Sequence, residues 1–501
     1  MDERGTLEVL RRGVEMIGLK APIQLAQFRP AMAMNPDLVA KYDANRLRVV
    51  RQVRYSLGNG NCIDVVLFLN GLPVATVELK TDFTQTVQDA VDQYRSDRQP
   101  NPKGQKPETL LSFPQGALVH FAVSDSEVMM ATHLQGPATR FLPFNKGDHG
   151  AKGNPVNAVG HKTAYLWDEV WQRDSWLEIL GRYIVSERDA KKQIRSVIFP
   201  RYHQLDATRK LRAAILADGV GGKYLIQHSA GSGKTNSIAW SAHFLADLHD
   251  DQNRKVFDTV LVVSDRNVID TQLQEAIFNF ERTTGVVATI KSDTGAKSGQ
   301  LAEALAGGKK VVVCTIQTFP ALMNAARDLS ASKGKHFAVI ADEAHSSQTG
   351  EAAAKLKQVL SPGELADLND GGEVSSEDIL AAQMASKAGL KGITFVAFTA
   401  TPKAKTLELF GRVPDTTQPA SATNLPAAFH VYSMRQAIEE GFFLDVLRNY
   451  TPYKLAFKLA TETGEFDQAE VERSTALKAL MKWVQLHPYN ISQKVQVVVE
   501  H

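Results

Sequence analysis

Two hydrophobic patterns divide the chain. Up to about residue 185, apolar runs of strand length alternate with turn signals, as in "CIDVVLFLNGLPVATVELK", whose Asn-Gly step predicts a hairpin. After residue 195, short apolar strands alternate with helical segments, the pattern of a parallel α/β domain. The segment "VQDAVDQY" predicts a helix, because its apolar residues follow helical spacing: Val87, Ala90, Val91 and Tyr94. The pattern therefore predicts an α/β protein with more than one domain.

The predicted hairpin carries charged residues whose placement depends on its register. Asp64 begins the first strand, and Glu78 and Lys80 end the second, two positions apart and hence on one sheet face. A two-residue loop would pair Asp64 with Val77 and put it on the opposite face. A three-residue loop pairs Asp64 with Thr76 instead. We predict the three-residue loop, because it brings the three charged residues together.

Two carboxylates beside a lysine have the chemistry of a nuclease. Asp64 and Glu78 offer hard oxygen ligands for Mg²⁺, and Lys80 is placed to polarise a water near a phosphate. The alternative is a strand end with solvated charges. In the helix that follows, Gln93 is a candidate polar contact to the site and Tyr94 a second catalytic candidate, although packing alone explains it. Other polar residues are expected on the remaining helix faces: Gln85, Gln88, Arg95 and Arg98.

A second candidate site lies at "YLIQHSAGSGKTNSIAW", an apolar strand, a glycine-rich turn and a helix. Such a turn lets backbone N–H groups approach phosphates at a helix N-terminus. Lys234 would reach the β- and γ-phosphates, and Thr235 would bind Mg²⁺. His228 takes the place of the first glycine of the strict pattern. The predicted nucleotide-binding residues are Ser229, Ala230, Gly231, Ser232, Gly233, Lys234 and Thr235.

Later strand ends supply the remaining nucleotide chemistry. "FAVIADEAHSSQ" ends a strand in Asp342 and Glu343, one to hold Mg²⁺ through water and the other to activate the attacking water. His345, with Gln348, is placed to sense the γ-phosphate. Upstream, the amide of Gln204 in "FPRYHQ" fits the hydrogen-bonding edge of adenine.

Polar residues at other strand ends are candidate DNA contacts. Any one of them is also explained as the cap of a strand end, but their joint order is hard to produce otherwise. These residues are Arg266, Gln272, Thr315, Gln317, Thr399 and Thr401.

Composition limits the protein class only coarsely. The 501 residues are 44% hydrophobic and 22% charged with a net charge of +2, so any DNA-binding surface must be local. One candidate is "NRLRVVRQVRY", with four arginines; a solvated strand face is equally consistent. The two cysteines lie far apart in apolar strands and favour a reducing cytoplasm. No apolar run approaches membrane-spanning length.

The motifs "HSAGSGKT", "DEAH" and "TATP", in this order, resemble motifs I, II and III of superfamily 2 helicases, and "FPRYHQ" resembles their adenine-reading motif. With an N-terminal D…ExK core of the PD-(D/E)xK nuclease type, the chain is similar to the restriction (R) subunit of type I restriction-modification enzymes. The resemblance implies a nuclease domain at 1–185, a first RecA-like ATPase lobe at 186–435, and a linker with the start of a second lobe at 436–501.

The same resemblance implies ATP and Mg²⁺ as cofactors and translocation of double-stranded DNA with cleavage away from the recognition site. Methyltransferase (M) and specificity (S) subunits would be its partners. Family members often carry an N-terminal acidic residue near the metal, for which Glu3, Glu8 and Glu15 remain open candidates. Gln93 and Tyr94 are adjacent here, whereas a longer spacing is common. "KVQVVVEH" resembles the opening strand of the second lobe, so we expect a truncated chain that hydrolyses ATP poorly alone.

Two other functions remain open from the sequence. One is a repair or type III-like nuclease-helicase, which shares these parts but reads DNA through different partners. The other is an ATP-driven DNA-binding switch with an inactive nuclease site.

Overall fold

The structure is a computed structural model that describes residues 4–30, 34–189, 191–264, 267–280, 285–289, 308–315, 325–330, 334–342, 392–402, 404–415, 417–421 and 423–445. The chain divides into two compact units. The first contains residues 1–344 and 383–443, and the second contains residues 345–382 and 444–501. Apart from residues 444–445, the described residues all lie in the first unit.

The described strands and helices follow one another in the order expected of a strand-rich region before an α/β region. The strands are β1 Leu47–Arg54, β2 Cys62–Leu69, β3 Leu72–Leu79, β4 Val119–Val123, β5 Val128–Ala131, β6 Leu142–Pro143, β7 Val185–Arg188, β8 Ile194–Ile198, β9 Lys223–His228, β10 Thr259–Ser264, β11 Val287–Thr289, β12 Val311–Thr315, β13 Phe337–Asp342, β14 Ile393–Thr399 and β15 His430–Tyr432. The helices are α1 Gly5–Arg12, α2 Pro36–Asp43, α3 Val87–Ser96, α4 Arg173–Glu178, α5 Tyr202–Asp218, α6 Lys234–Ala246, α7 Asn267–Asn279, α8 Ala404–Phe410 and α9 Met434–Glu439.

The first sheet has the strand order β1-β2-β3-β4-β5-β6. All neighbours are antiparallel except β3 and β4, which are parallel. Helix α3 covers one face and buries its apolar side, as the helical spacing predicts. The opposite face packs on a larger core that includes Phe121 and Trp176. The sheet therefore fixes β2 and β3 between two packed layers.

The predicted three-residue hairpin loop is wrong. Leu69 pairs with Leu72, so the loop is the two-residue Asn70-Gly71, and both residues have positive φ, +50° and +88°, as a tight hairpin turn requires. The register then shifts by one residue at a bulge opposite Leu67 and Phe68. The bulge lies beside Pro73, which has no N–H to donate to a ladder.

The bulge restores the shared face that the prediction sought from the loop. Beyond it, Val65 pairs with Val77, so the next positions along the two strands, Asp64 and Glu78, stand opposite each other. One inserted residue reverses the face of every side chain that follows it. Asp64 and Glu78 therefore share one sheet face, as expected, but because of the bulge and not because of the loop length.

The second sheet is a parallel α/β sheet, as predicted from the alternation of strands and helices. Within the described residues it has seven strands in the order β11-β12-β10-β13-β14-β9-β15, and every neighbouring pair is parallel. The central strands are buried on both faces, which explains their continuous apolar sequences. Because the strands are parallel, their carboxyl ends meet at one edge, where ligands bind in such sheets.

Strands β7 and β8 form a separate antiparallel pair. In the sequence, this pair follows the strands of the first sheet and precedes those of the second. The domain borders at residues 185 and 435 stay predictions, and the start of a second lobe lies outside the described residues. Among the described residues, no helix is both long and apolar enough to cross a membrane.

Candidate functional site

The first candidate site lies at the ends of β2 and β3, on the face covered by α3. Both oxygens of Asp64 accept hydrogen bonds: Oδ1 from Gln52 Nε2 at 3.0 Å and Oδ2 from the backbone N–H of Leu79 at 2.9 Å. Glu78 is fully buried beside it, and its Oε1 accepts from Arg98 Nε at 2.7 Å. The two carboxylates are thus held in fixed orientations by separate donors.

Burial is the main cause of the raised pKa of Glu78. It raises the pKa of this carboxyl to about 7, against the lowering effect of Arg98; the neighbouring carboxylate of Asp64 raises it further. Glu78 Oε2 is buried and accepts no hydrogen bond from any donor within the described residues. A buried carboxylate oxygen without a donor, next to a second carboxylate, fits a hard divalent cation such as Mg²⁺.

The lysine and the helix residues occupy different positions around these acids. Lys80 Nζ donates to Gln93 Oε1 at 2.7 Å, so the predicted polar contact of Gln93 is made to the lysine. Tyr94 is fully buried, and its hydroxyl lies 2.8 Å from Thr76 Oγ1, which also contacts His120 Nδ1 at 2.7 Å. This geometry suits packing, and a catalytic role for Tyr94 stays a prediction.

Sequence reasoning missed two residues of this site. Arg98 was expected on a polar helix face, but it is buried and forms an ion pair with Glu78. The available signal was its position two residues after the end of α3. Gln52 belongs to β1 and gave no signal in the sequence, because its contact with Asp64 depends on strand pairing.

The candidate N-terminal acids are engaged elsewhere or not described. Glu8 pairs with Arg12 at 3.1 Å and Glu15 with Arg4 at 3.6 Å, whereas Glu3 lies outside the described residues.

The second candidate site is the loop between β9 and α6. Gly231 and Gly233 have φ of +72° and +75°, a backbone conformation that glycine adopts without strain, and α6 begins at Lys234. A Cβ on Gly231 would lie 2.7 Å from the carbonyl oxygen of Phe442. The predicted strand, turn and helix are therefore present, with the glycines where the chain needs them.

Three side chains from the start of α5 bind the carbonyl groups of this loop. Arg201 Nη2 donates to Gly231 O at 2.9 Å, His203 Nε2 to Ser232 O at 3.0 Å, and Gln204 Nε2 to Gly233 O at 3.0 Å. The loop carbonyls are thereby occupied by donors of the protein. Two buried polar atoms of the site, Arg201 Nη1 and Ser232 Oγ, have no hydrogen-bond partner among the described residues, which fits an anionic ligand.

Gln204 is engaged at both ends of its amide. Besides the bond to Gly233, its Nε2 lies 3.3 Å from Ser232 O, and its Oε1 accepts from the N–H of Arg201 at 2.9 Å. Contact with adenine, as predicted, would require the amide to exchange or share these bonds. That role stays a prediction.

His228, which replaces a glycine of the strict pattern, belongs to the strand rather than to the turn. It is fully buried, and its Nε2 lies 2.9 Å from His430 Nδ1, whose ring in turn contacts Asp206 at 3.1 Å. Burial holds the pKa of His228 well below its usual range, so the ring is neutral. His228 therefore lies in the core of the sheet, before the glycine-rich turn begins.

The other predicted residues at strand ends gather at the same edge of the parallel sheet. Asp342, the last residue of β13, pairs with Phe398, and Thr399 of β14 pairs with Gln227 of β9, just before the loop between β9 and α6. Asp342 and Thr399 are buried, and Thr401 is exposed. Thr315 ends β12 and Gln272 lies in α7. Glu343, His345, Gln348, Arg266 and Gln317 lie outside the described residues.

The fold and the two sites define a P-loop ATPase preceded by a domain with a nuclease-like carboxylate pair. Residues 203–478, more than half of the chain, match the SWI2/SNF2 ATPase family model, so the chain belongs to this ATPase family. Residues 33–138 match the N-terminal domain of the type I restriction enzyme R protein. The resemblance to the R subunit is thereby confirmed, and the ATPase match indicates nucleotide use.

Two relatives carry related names. The type I restriction enzyme HindI endonuclease subunit of Haemophilus influenzae is 24% identical over 408 residues, covering 79% of this chain and 34% of the relative. A Methanocaldococcus jannaschii protein, named as a candidate type I restriction enzyme MjaVIIIP endonuclease subunit, is 25% identical over 330 residues, or 60% and 29% of the two chains. The chain thus spans about a third of the length of these curated relatives.

Among solved structures, a fragment of a candidate HsdR subunit of a type I restriction enzyme from Vibrio vulnificus YJ016 is similar. It is 14% identical, with 88% of this chain and 65% of that chain covered, at a TM-score of 0.29.

Proposed function

We propose that this chain is the motor and nuclease subunit of a type I restriction enzyme. It would hydrolyse ATP to translocate double-stranded DNA and cut unmodified DNA away from the recognition site. The observation that carries the proposal is the joining, in one chain of the R-protein type, of the Asp64–Glu78 carboxylate pair and the phosphate loop at residues 229–235.

The nuclease role rests on the carboxylate pair and its lysine. Asp64 and the unpartnered Oε2 of Glu78 would hold Mg²⁺, which supplies a polarised water and neutralises charge on the phosphate. Lys80 would orient the attacking water or stabilise the developing charge, with its ammonium positioned by Gln93. Arg98 would keep Glu78 oriented while the cation is bound.

The ATPase role rests on the loop and the sheet edge beside it. The N–H groups at residues 229–233 and Lys234 would bind the phosphates of ATP, and Thr235 and Asp342 would hold its Mg²⁺. Glu343 would activate the attacking water, and His345 would sense the γ-phosphate. The anion-compatible atoms of Arg201 and Ser232 support this assignment.

An arginine-rich strand supports DNA binding at the nuclease site. Strand β1 is an edge strand, and Arg48, Arg51 and Arg54 are exposed on it, with no ion pair to any described residue. Through Gln52 this strand also contacts Asp64. By register Arg48 and Arg54 share the sheet face of Asp64, whereas Arg51 pairs with Val65 on the other face. Arginines on an exposed edge strand beside a carboxylate pair are suited to the phosphate backbone of DNA. On the motor domain, DNA contacts would come from Arg266, Gln272, Thr315, Gln317, Thr399 and Thr401.

Methyltransferase and specificity subunits are the proposed partners, because the named relatives are endonuclease subunits of such systems. A cytoplasmic location belongs to the same proposal; within the described residues neither Cys62 nor Cys314 forms a disulfide.

Cleavage of unmodified plasmid DNA by the chain together with its M and S partners tests this function. We expect cutting that requires ATP, Mg²⁺ and both partners, and that disappears when the plasmid carries the methylation of the system. Cutting that is independent of these partners would favour a repair or type III-like nuclease-helicase. ATP-dependent DNA binding without any cutting would favour a switch with an inactive nuclease site.

A further inference from the structure

Gln52 has a backbone conformation that is rare in a paired strand. It lies in the middle of β1 with φ of +50°, while its neighbours keep a regular ladder: Arg51 pairs with Val65 and Val53 with Ile63. Glutamine rarely adopts positive φ, and such a conformation costs on the order of 1–3 kcal/mol unless the surroundings impose it. The strained residue is the one that stands opposite Asp64 in the register of β1 and β2.

The side chain of Gln52 is engaged at both of its polar atoms. Nε2 donates to Asp64 Oδ1 at 3.0 Å, and Oε1 accepts from the thiol of Cys62 at 3.2 Å. The thiol bond fixes which end of the amide is turned to the carboxylate, because only Nε2 carries hydrogens. Gln52 therefore presents a donor, in a defined direction, to the first candidate metal ligand.

This donor completes the fixation of Asp64. The N–H of Leu79 holds Oδ2 at 2.9 Å, and Gln52 holds Oδ1, so rotation of the carboxylate group would break one bond or the other. Each carboxylate oxygen has a second lone pair that remains available for a cation. Hydrogen bonds from neighbouring groups orient metal ligands in this way, and their loss commonly lowers metal affinity.

We propose that Gln52 is a positioning residue of the nuclease site, held in a strained backbone conformation so that its amide orients Asp64 for metal binding. The proposal rests on the proposed function, since it takes Asp64 as a metal ligand. It assigns to β1 a role in the site that the D…ExK pattern does not contain.

Two substitutions of Gln52 separate its amide from its backbone strain. Gln52→Met keeps the length of the side chain and the strain but removes the hydrogen bonds. Gln52→Gly removes both the hydrogen bonds and the strain. Lys192→Gly is the matched control, because Lys192 is exposed, has φ of +63° and lies in the turn between β7 and β8.

The measurement is Mn²⁺ binding to the full chain without nucleotide, by titration calorimetry, together with thermal unfolding. The binding that disappears in Asp64→Asn defines the nuclease site. We expect both Gln52 variants to bind Mn²⁺ at this site about tenfold or more weakly, and Lys192→Gly to bind it like the wild type. Gln52→Gly should unfold at a higher temperature than Gln52→Met, because both variants lose the same hydrogen bonds but only glycine relieves the backbone strain.

In the complete enzyme, excess Mg²⁺ should restore cutting by Gln52→Met, since the defect lies in metal affinity rather than in the reaction itself. Wild-type Mn²⁺ affinity in both Gln52 variants would overturn the proposal, and so would a lowered unfolding temperature of Gln52→Gly relative to Gln52→Met. If Asp64→Asn and Glu78→Gln leave Mn²⁺ binding unchanged, the proposed nuclease site itself fails. That outcome is distinct from failure of the Gln52 role alone.

Discussion

The two candidate sites differ in how the chain assembles them. The phosphate loop is contiguous, residues 229–235, and three donors from one turn of α5 hold its carbonyls. The carboxylate site draws on three strands and the end of a helix: Gln52, Asp64, Glu78 and Arg98. A local site survives small changes of register elsewhere, whereas a site assembled across strands depends on each pairing.

This difference also determines what the sequence could predict. The phosphate loop, its strand and its helix follow from local spacing, and the structure has them as predicted. Asp64 and Glu78 share a sheet face because a one-residue bulge beside Pro73 shifts the strand register. A three-residue hairpin loop would also have placed them on one face. The sequence pattern indicates that a register shift is needed to bring the two carboxylates together, but it does not indicate where along the hairpin the shift occurs.

The roles of Gln52 and Arg98 were beyond sequence reasoning for a related reason. An exposed strand arginine or glutamine has the same local sequence signature as one that holds a metal ligand. The distinction comes from burial and from pairing partners distant in the chain. Arg98 is buried by the packing of the segment after α3 on the sheet, which no periodicity encodes.

Gly231→Ala should break the local site most strongly. The new Cβ would meet the carbonyl of Phe442 at 2.7 Å, and alanine is strained at φ of +72°. We expect the rate of ATP hydrolysis to fall about 10²-fold or more, which corresponds to an energetic penalty of roughly 3 kcal/mol. Phosphate release measures it. Gly219→Ala is the control, because it shares the positive φ with no atom within 4 Å of its Cβ; an equal loss there would show that crowding by Phe442 is irrelevant.

Arg98→Met should break the dispersed site and leave the local one intact. Removing one partner of a buried ion pair leaves Glu78 unpaired, and such losses cost about 3–5 kcal/mol of unfolding free energy. We also expect cutting to fall about 10- to 100-fold, with ATP hydrolysis retained by the folded fraction. Denaturant unfolding and plasmid cutting measure both effects. The exposed pair of Arg254 and Asp250 gives the comparison, where Arg254→Met should leave the unfolding free energy close to that of the wild type.

Stabilisation by Mg²⁺ should depend on pH through Glu78. Its folded pKa is raised to about 7, so in the metal-free chain the carboxyl is mostly protonated near about pH 5.5 and mostly ionised, and paired with Arg98, near about pH 8. The associated stability is complete below the usual carboxyl pKa and is lost as pH rises through about 7, on the order of 3 kcal/mol at most. Since Mg²⁺ replaces the proton, its stabilising effect should be small near about pH 5.5 and large near about pH 8.

Thermal unfolding without nucleotide, with and without Mg²⁺, measures this effect. In Glu78→Gln the dependence on pH should vanish. A Mg²⁺ effect that is equal at both pH values in the wild type would contradict Glu78 as a ligand with a raised pKa.

Replacing the arginines of β1 should have the smallest effect, on DNA affinity rather than on reaction rate. Removal of one arginine–phosphate interaction should reduce the slope of log K against log salt by about 0.9. We therefore expect Arg48→Gln and Arg54→Gln, on the sheet face of Asp64, together to lower the slope by up to roughly 1.8. Fluorescence anisotropy with duplex DNA at several salt concentrations measures it. Arg254→Gln removes an exposed, paired arginine elsewhere and should leave the slope unchanged; an equal change there would remove β1 from the DNA surface.

Lys80→Ala in the complete enzyme tests most directly whether the chain carries two chemically separate sites. Plasmid linearisation and phosphate release are measured on the same preparations, with Lys234→Ala in parallel. We expect Lys80→Ala to lose cutting by about 10² or more while DNA-stimulated ATP hydrolysis stays near normal, and Lys234→Ala to lose both. Wild-type cutting by Lys80→Ala would contradict the separation of the two sites, and so would a parallel loss of ATP hydrolysis.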